Sequence, residues 1–408
     1  MHEKKGPLSG LLVLDLTRIL AGPFCTQILG DLGAEIIKVE RPGLGDDTRR
    51  FAPPFLKKVS GEETKESAYF LGANRNKRSV AIDIAKPEGQ ILIRKIAEKS
   101  DVLVENFKLG NLSRYGLSYD DLKLLNPKLV YCSITGFGQT GPYADRPGYD
   151  PLIQAMGGFM SVTGEPKGEP MKAGVPIADI MAGMYATVGI NAALRSREVD
   201  GQGQYIDIGM LDTQISWLSI QAMNYLVSGQ MSSRLGNAHP NIVPYQVFKT
   251  SNGHIMVTIG NDAQFQRFCN HANCPELATD GRFSTNGCRV RNRDILIPLL
   301  EPIFLGKETD DWLIELEDLA IGCGPINSIE QVFSDPHVRD RRMVVNMPHE
   351  ALDGGEVPMI ASPLRFSETP VSYRHAPPVL GADTEQVLEE ILDLDEADLN
   401  RLREKNII

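Results

Sequence analysis

The sequence predicts an α/β protein whose main domain is built on a parallel sheet. An apolar segment (residues 11–17) is followed by a helical segment (residues 24–32) and a second apolar segment (residues 35–40). The connections between them are short, which is typical of a βαβ unit. Further segments of both kinds alternate along the first half of the chain. Ligands of such sheets bind beyond the carboxyl ends of the strands, so we expect functional residues there.

The individual elements follow from local pattern. Ala21, Gly22 and Pro23 predict a turn before the first helix, which Gly33 closes. A helix with Pro87 near its start carries an apolar stripe. A long helix is predicted from Asp179, and another over residues 211–230. The further predicted strands are residues 79–84, 101–107, 129–135 and 205–210.

The chain is long for one hydrophobic core, so we expect two lobes. Residues 1–224 form the predicted large α/β domain. Residues 225–330 form a smaller α+β domain, in which alternating apolar residues and the turn Ser251-Asn252-Gly253 predict an antiparallel hairpin. Residues 331–408 are expected to return to the large domain, because their apolar strands have no obvious sheet of their own.

Bulk composition excludes several classes of protein. The net charge of −11 argues against a nucleic-acid partner, which requires clustered Lys and Arg. The six scattered cysteines suggest reduced thiols in a cytoplasmic protein. Neither a secretory signal nor an apolar run of about 18 residues is present, so no membrane span is expected. No metal is expected either, since Cys269, His271, Cys274 and Cys288 fit no common zinc spacing.

Residues 136–141 match the pattern GxGxxG and follow a predicted strand. A dinucleotide site also needs a helix starting at this point, and Pro142 and Pro147 oppose one. NAD and FAD are therefore not expected. The segment is either a mobile loop near a reacting group or a plain surface turn. The chain contains no GxxxxGK[ST] loop, so ATP chemistry is not expected.

Several cations lie near the predicted strand ends. They are either a solvated surface or a site for a nucleotide with several phosphates. The members of this set are Arg18, Arg41, Arg75, Lys77, Arg78 and Arg114.

A single acid, Asp179, stands between an apolar segment and a long apolar helix. A helix N-cap and a carboxylate nucleophile are both open to it, and they are compatible, because a helix N-terminus keeps a carboxylate ionised and oriented. A catalytic pair of carboxylates is not expected, since no second acid stands beside it in the sequence. A Ser/His/Asp site finds little support: there is no GxSxG, and His239 is the only histidine in a suggestive loop.

The combination of motifs is specific. The chain contains DLTRILAGPFCTQILGDLGAEIIKVERPGLGDDTR, then NRNKRSVAIDI, DVLVENF, ITGFGQTGP, RPGYDPLIQAMGGFMSVTG and GVPIADIMAG. In order and spacing these motifs closely resemble the class III CoA-transferases, and GCGPINSIEQVFSDPHV and PPVLGADTEQVLEEIL continue the resemblance through the tail. The resemblance implies a Rossmann-like large domain with a smaller α+β domain, in an interlocked homodimer.

The resemblance also implies roles for individual residues. Asp179 would be the nucleophile, and Tyr149 would lie near the thioester. The substrates would be an acyl-CoA and a small carboxylic acid. The implied contacts to coenzyme A are Leu20, Ala21, Arg41, Asn106, Phe107, Lys108 and Arg114, together with Tyr149.

The stretch RLGNAHPNIVPYQVF resembles the succinate–hydroxymethylglutarate branch of the family. This implies succinyl-CoA as donor and a short dicarboxylate, such as glutarate or hydroxymethylglutarate, as acceptor. Arg18, Arg75 or Arg234 would bind the distal carboxylate. The alternative is a racemase of the α-methylacyl-CoA type, but those enzymes carry His where this chain has Tyr149, and a phenol is a poor base at neutral pH. A CoA-binding protein without catalytic activity is the other alternative.

Overall fold

The computed structural model describes residues 6–408. The strands are β1 (Leu12–Asp15), β2 (Glu35–Glu40), β3 (Phe55–Lys57), β4 (Glu63–Ser67), β5 (Lys77–Ala81), β6 (Val102–Glu105), β7 (Val130–Thr135), β8 (Tyr205–Gly209), β9 (Tyr245–Lys249), β10 (His254–Thr258), β11 (Gly322–Pro325), β12 (Val344–Pro348) and β13 (Glu356–Ile360).

The helices are α1 (Ala21–Asp31), α2 (Ala68–Leu71), α3 (Pro87–Lys99), α4 (Tyr119–Leu122), α5 (Asp150–Met156), α6 (Phe159–Val162), α7 (Ile177–Asp200), α8 (Met210–Ser216), α9 (Ile220–Ser228), α10 (Asp262–His271), α11 (Pro275–Thr279), α12 (Asn286–Arg291), α13 (Arg293–Leu305), α14 (Thr309–Asp318), α15 (Ile329–Ser334), α16 (Pro336–Asp340), α17 (Thr384–Leu392) and α18 (Glu396–Glu404). Short 3-10 turns lie at Asp47–Arg50, Ser113–Tyr115 and Glu350–Leu352.

The central element is a six-stranded sheet in the order β5-β2-β1-β6-β7-β8, and every pairing in it is parallel. The predicted α/β class is confirmed. Successive residues of β1 face opposite sides of this sheet. Val13 packs in a core with residues of α1 and α7, whereas Leu14 packs in a core with residues of α3, α17 and α18. The sheet is therefore covered on both faces, as parallel sheets generally are.

The chain divides into two compact units. The first comprises the chain up to Gly157, with Ala173–Trp217 and His337–Ile408, and it contains the six-stranded sheet. The second comprises Gly158–Lys172 and Leu218–Pro336. It contains the antiparallel sheet β11-β10-β9, whose β9–β10 hairpin was predicted. The domain limits at 224 and 330, and the return of residues 331–408, stay predictions.

Two local predictions were wrong. Ala21-Gly22-Pro23 is the first turn of α1 and not a turn before it, because a helix's first turn does not need the N–H group that proline lacks. The helix predicted over residues 211–230 is interrupted: α8 ends at Ser216, and Ser219 has φ +50° before α9 begins. The boundary between the units, at Trp217 and Leu218, falls within this interruption.

The two tail strands have a sheet of their own, which was not evident from the sequence. The apolar tail segments pair with each other as the antiparallel hairpin β12–β13, a separate two-stranded sheet. The pairing runs from Val344 opposite Ile360 to Pro348 opposite Glu356.

Among residues 6–408 one helix, α7, has the length and apolar composition that a membrane span would need. No membrane span was expected from the sequence, because the polar residues within α7 interrupt its apolar run. Core helices also satisfy such a test, and the side of α7 that carries Ala178, Ala182, Ala186 and Ile190 is buried against the sheet and α1.

Candidate active site

The candidate site lies where the order of the sheet reverses. From β1 the chain adds β2 and β5 on one side, whereas β6, β7 and β8 lie on the other. The loops that leave β1 and β6 therefore diverge and open a crevice at the carboxyl ends of these two neighbouring strands. This is where ligands of open parallel sheets bind.

A cleft of about 430 Å³ occupies this crevice. Its walls come from the loops after β1, β6 and β7 and from the starts of α5 and α7. It brings together seven of the nine residues predicted for the site from sequence. These are Leu20, Ala21, Asn106, Phe107, Lys108, Tyr149 and Asp179.

Asp179 is the third residue of α7 and does not cap it, which corrects the sequence-based expectation. The cap is Asp150, the first residue of α5. The backbone N–H groups of Ala178 and Asp179 donate to Asp150 Oδ1 at 2.7 and 3.3 Å. No hydrogen bond or ion pair engages the Asp179 side chain within residues 6–408. The half-buried carboxylate of Asp179 is therefore available to a ligand in the cleft.

The surroundings of Asp179 change its acidity. Burial, and then the negative charge of Asp150, raises the pKa of Asp179 to about 7. The pKa of Asp179 thus departs from the expectation that the helix N-terminus keeps this carboxylate ionised, and a second carboxylate, that of Asp150, lies beside it in the fold. Asp150 is buried, and it is separated from Asp179 by 29 positions in sequence.

Two glycine contacts fix this part of the site. A Cβ on Gly183 would lie 2.6 Å from the carbonyl oxygen of Ala21, so α7 and α1 approach closely one turn beyond Asp179. A Cβ on Gly136 would lie 2.4 Å from the Cα of Gly148. The backbone after β7 thus touches the loop that leads to Tyr149. The segment 136–141 is a loop and no helix starts in it, unlike in a dinucleotide-binding turn.

The loop after β1 is held in an uncommon conformation. The side chain of Asn106 accepts from the N–H of Arg18 at 2.9 Å and donates to the carbonyl of Arg18 at 2.7 Å. Ile19 has φ +71°, a conformation that costs a β-branched residue about 1–3 kcal/mol. Its N–H donates to Asp46 Oδ1 at 3.1 Å. Asn106 thus holds the loop after β1 in place. This is a structural role, in addition to the contact with coenzyme A that was predicted for it.

A second cavity of about 400 Å³ adjoins the cleft, and the two share Arg18, Phe107 and Asn111 as lining residues. Arg41, the eighth predicted residue, is exposed and lines this second cavity beside apolar side chains such as Ile82 and Ile84. Arg114, the ninth, lies on an exposed 3-10 turn outside the lining of both cavities, next to Tyr115, which lines the second.

Three of the cations considered for phosphates have other roles. Arg75 is buried and pairs with Asp31 at 2.6 Å, and Lys77 is buried and pairs with Asp15 at 3.1 Å. Arg78 bonds Glu35 and Glu390. These side chains stabilise the domain, and the hypothesis that they hold phosphates was wrong. Arg18 differs: its side chain is half exposed in the cleft, where it pairs with Asp47 at 3.0 Å.

Sequence reasoning missed two contributors. Asp150 precedes Pro151, and an acid followed by proline at a helix start was the available signal. Arg146 lines the cleft and stacks on Tyr143 at 3.9 Å, but no local pattern distinguished it from other surface arginines.

The sequence is similar to known CoA-transferases along nearly its whole length. A family model described as CoA-transferase family III matches residues 8–384. A succinate–glutarate CoA-transferase of Agrobacterium fabrum is 48% identical over 96% of this chain and 97% of its own. The human succinyl-CoA:glutarate CoA-transferase is 42% identical over 98% of this chain and 90% of its own.

Solved structures agree with the fold. A CAIB/BAIF family protein from Brucella suis is 46% identical and has a TM-score of 0.82, covering 95% of this chain and all of its own. A protein from Mycobacterium tuberculosis, 27% identical, has a TM-score of 0.82 and covers 94% of this chain and 99% of its own.

Proposed function

This chain belongs to CoA-transferase family III, and from that premise we propose that it moves coenzyme A from succinyl-CoA to glutarate or a closely related short dicarboxylate. The observation that carries the chemistry is the free carboxylate of Asp179 in a cleft at the switch point of the sheet. The preference for this pair of acids rests on the relatives, whose names specify succinate and glutarate.

Asp179 is the nucleophile in the proposed mechanism. Its carboxylate attacks the acyl carbon of the donor thioester, the C–S bond breaks, and a mixed anhydride forms while the CoA thiolate departs. The thiolate then attacks the Asp179 carbonyl, which gives an aspartyl thioester and releases the donor acid. The acceptor carboxylate attacks this thioester, and the same steps in reverse give the new acyl-CoA and a regenerated Asp179. One thioester replaces another, so neither ATP nor a metal is required.

The cleft suits these steps in two ways. Holding the thiolate beside the anhydride makes the second step effectively unimolecular. The backbone N–H groups of Ala21 and Gly22 at the start of α1 have no partner within the described residues, and Ala21 lines the cleft with Asp179. The positive end of α1 therefore favours the negative charge that develops there. The start of α7 is less suited, because Asp150 already occupies the N–H groups of Ala178 and Asp179.

The nucleotide end of coenzyme A is proposed to occupy the second cavity. Ile82, Ile84 and Tyr115 offer an apolar surface to a base, and Arg41 offers a cation to a phosphate. Phe107 and Asn111 border both cavities, so the pantetheine arm would pass them on its way to Asp179. Lys108 and Arg114 stay predicted contacts of the same ligand.

The distal carboxylate of the acceptor is proposed to bind Arg18. Of the three arginines considered from sequence, Arg75 is buried on Asp31. Arg234 donates to the backbone carbonyls of Glu165 and Gly168. Arg18 lies in the cleft, where its guanidinium lies 5.6 Å from the centre of the Phe107 ring and pairs with Asp47. The exposed ion pair contributes roughly 0–1 kcal/mol and is readily exchanged for a ligand.

Replacing Arg18 tests this assignment. Arg18→Gln is expected to raise KM for glutarate about tenfold or more, since a charge-assisted hydrogen bond is lost. KM for succinyl-CoA should rise too, because its distal carboxylate occupies the same place in the mirror-image half-reaction, whereas kcat/KM for a monocarboxylate acceptor should change much less. Initial rates with both classes of acceptor measure this. Arg195→Gln, on an exposed part of α7, is the matched control. An equal loss with both classes of acceptor would contradict a role in binding the distal carboxylate.

The function itself is tested by incubating the protein with succinyl-CoA and a panel of carboxylic acids. We expect a new acyl-CoA in the presence of glutarate, with stoichiometric release of succinate. Exchange of an α-proton in deuterated water without acyl transfer would instead support the racemase alternative, and tight CoA binding without any turnover would support a binding protein. Tyr149 is 66% exposed at the start of α5. Because it places a phenol where the racemases carry a histidine, it favours transfer over racemisation.

A homodimer is part of the proposal. Large exposed apolar side chains follow one another on α9, with Leu226 and Val227 exposed by 72% and 80%. Exposed apolar surface of this kind is typical of subunit interfaces. Sedimentation velocity should give twice the chain mass, and a monomer at micromolar concentration would contradict it. The interlocked arrangement and the cytoplasmic location stay predictions from sequence.

A further inference from the structure

Asp150 lies at the centre of a hydrogen-bond network beneath Asp179. Its Oδ1 accepts from Ala178 and Asp179, and its Oδ2 accepts from Gln154 Nε2 at 2.6 Å. Gln154 Oε1 in turn accepts from the N–H of Ala173 at 2.8 Å. Asp150 and Gln154 are both buried. The network thus ties the start of α5 to the segment that enters α7.

We propose that Asp150 is a positioning residue for the transfer reaction: it caps α7 in place of Asp179 and opposes Asp179 with a second negative charge. The proposal rests on the proposed function of Asp179. Capping by Asp150 leaves both oxygens of Asp179 free to react. An Asp179 that capped its own helix would spend one oxygen on the backbone N–H groups that Asp150 now takes.

The second charge makes Asp179 a better nucleophile. A carboxylate that is destabilised by a like charge holds its proton more tightly and is more basic once deprotonated. Asp179 loses its negative charge when it is acylated, because the anhydride is neutral. The charge of Asp150 favours this change, since it removes the repulsion between the two carboxylates. Asp150 therefore disfavours the resting carboxylate relative to the acylated state.

The cleft is also lined by three cations and by two acids other than Asp150 and Asp179. Arg18, Lys108 and Arg146 face it as cations, while Asp47 and Asp145 face it as acids beside Asp150. From α2, the Tyr69 hydroxyl adds a further titratable group; burial, and then the charges of Asp179 and Asp150, raises its pKa. The charge that acts on Asp179 itself is that of Asp150.

The test compares Asp150→Asn with Asp150→Ala. Asn keeps an oxygen for the α7 cap and loses the charge, so the acidic limb of the profile of kcat/KM against pH should move down by about one unit. Ala loses the cap as well, and we expect kcat to fall about 10²-fold, with CoA affinity changed only a few-fold. An unmoved acidic limb in Asp150→Asn would overturn the proposal.

Gln154→Met is the matched control. It removes the amide that bonds Asp150 and Ala173, and so disturbs the same network, but it leaves the charge of Asp150 in place. The Gln154→Met protein is expected to be less stable than wild type, while the acidic limb of its profile of kcat/KM against pH stays at the wild-type pH. A limb that moves equally in Gln154→Met would show that packing, rather than charge, sets the behaviour of Asp179.

A second readout does not depend on catalysis. The raised pKa of Asp179 means that the folded protein binds a proton more tightly than the unfolded chain, so stability falls as pH rises from about 4 to about 7. In Asp150→Asn this fall in melting temperature should be smaller. If wild-type protein transfers no CoA but the melting profiles differ in this way, the proposed function fails, and only the effect of the Asp150 charge on the acidity of Asp179 stands. If transfer occurs and neither readout moves, only the role of Asp150 fails.

Discussion

Asp179→Asn is expected to abolish CoA transfer, with a loss in kcat on the order of 10⁴-fold or more, because an amide cannot form the anhydride. The variant should still fold and bind CoA, since the Asp179 side chain has no hydrogen bond or ion pair within the described residues and Asp150 caps α7 without it. Initial rates with succinyl-CoA and glutarate, together with CoA titration by calorimetry, measure the two properties. Substantial residual transfer would exclude Asp179 as the nucleophile.

The wild-type pH profile is a further expectation for Asp179. Since the pKa of Asp179 is about 7, the reactive carboxylate should be lost as pH falls below 7, and kcat/KM should decline about tenfold per unit there. Hydroxylamine should trap an acylated Asp179 in the presence of acyl-CoA. Asp145→Asn, an exposed acid of the same cleft wall, controls for a general change of charge and should keep the wild-type shape of the profile.

Asp179→Asn is also expected to stabilise the folded protein. A carboxyl whose pKa is raised from 3.8 to about 7 on folding costs up to about 4 kcal/mol once pH exceeds 7. Partial exposure to solvent reduces that cost, so a gain of about 1–2 kcal/mol at pH 8 is expected. Below pH 4 the gain should vanish, because the carboxyl is then protonated in both states. Chemical denaturation at pH 8 and below pH 4 separates this electrostatic gain from a change in packing, because a change in packing would alter stability at both pH values.

The second large effect is expected at Asp15, the last residue of β1. Asp15 is fully buried and accepts from the Lys77 ammonium, from Thr17 and from Thr26. Asp15→Ala would leave Lys77 buried without its counter-ion, which typically costs about 3–5 kcal/mol. Lys77 also donates to the carbonyl of Pro23 at 2.9 Å, so the start of α1 should loosen as well. Urea unfolding monitored by circular dichroism measures the loss.

Two controls test the role of Asp15: the pH dependence of stability, and a variant that removes an exposed ion pair. Burial alone would raise the pKa of Asp15, but the charges of Lys77 and Lys38 and the threonine hydroxyls lower it to about 2. Its contribution is therefore present above about pH 4 and is lost as pH falls toward 2. Arg195→Ala removes an exposed pair with Glu198 and should cost less than about 1 kcal/mol. Similar costs for the two variants would contradict the role of the buried pair.

Much of the fold was predictable because it depends on local pattern. Apolar runs over residues 11–17, 35–40 and 129–135 became β1, β2 and β7, since short connections between alternating strands and helices permit few arrangements other than a parallel sheet. The break between α8 and α9 was not predictable. Residues 211–230 have a helical pattern throughout, and the division between the two units interrupts the helix.

The sequence by itself determined the family, the α/β class and the importance of Asp179, because these follow from the order of motifs and from periodicity along the chain. Only the tertiary structure decided which polar groups meet. It paired Arg75 with Asp31, 44 positions away, and so removed Arg75 from the site. It placed Asp150 at the start of α7, so that a different acid caps the helix and Asp179 is left free with a raised pKa. The partner of a charged side chain depends on the order of strands and on the close approach of helices. Neither can be inferred from the residues that are adjacent to that side chain in the sequence.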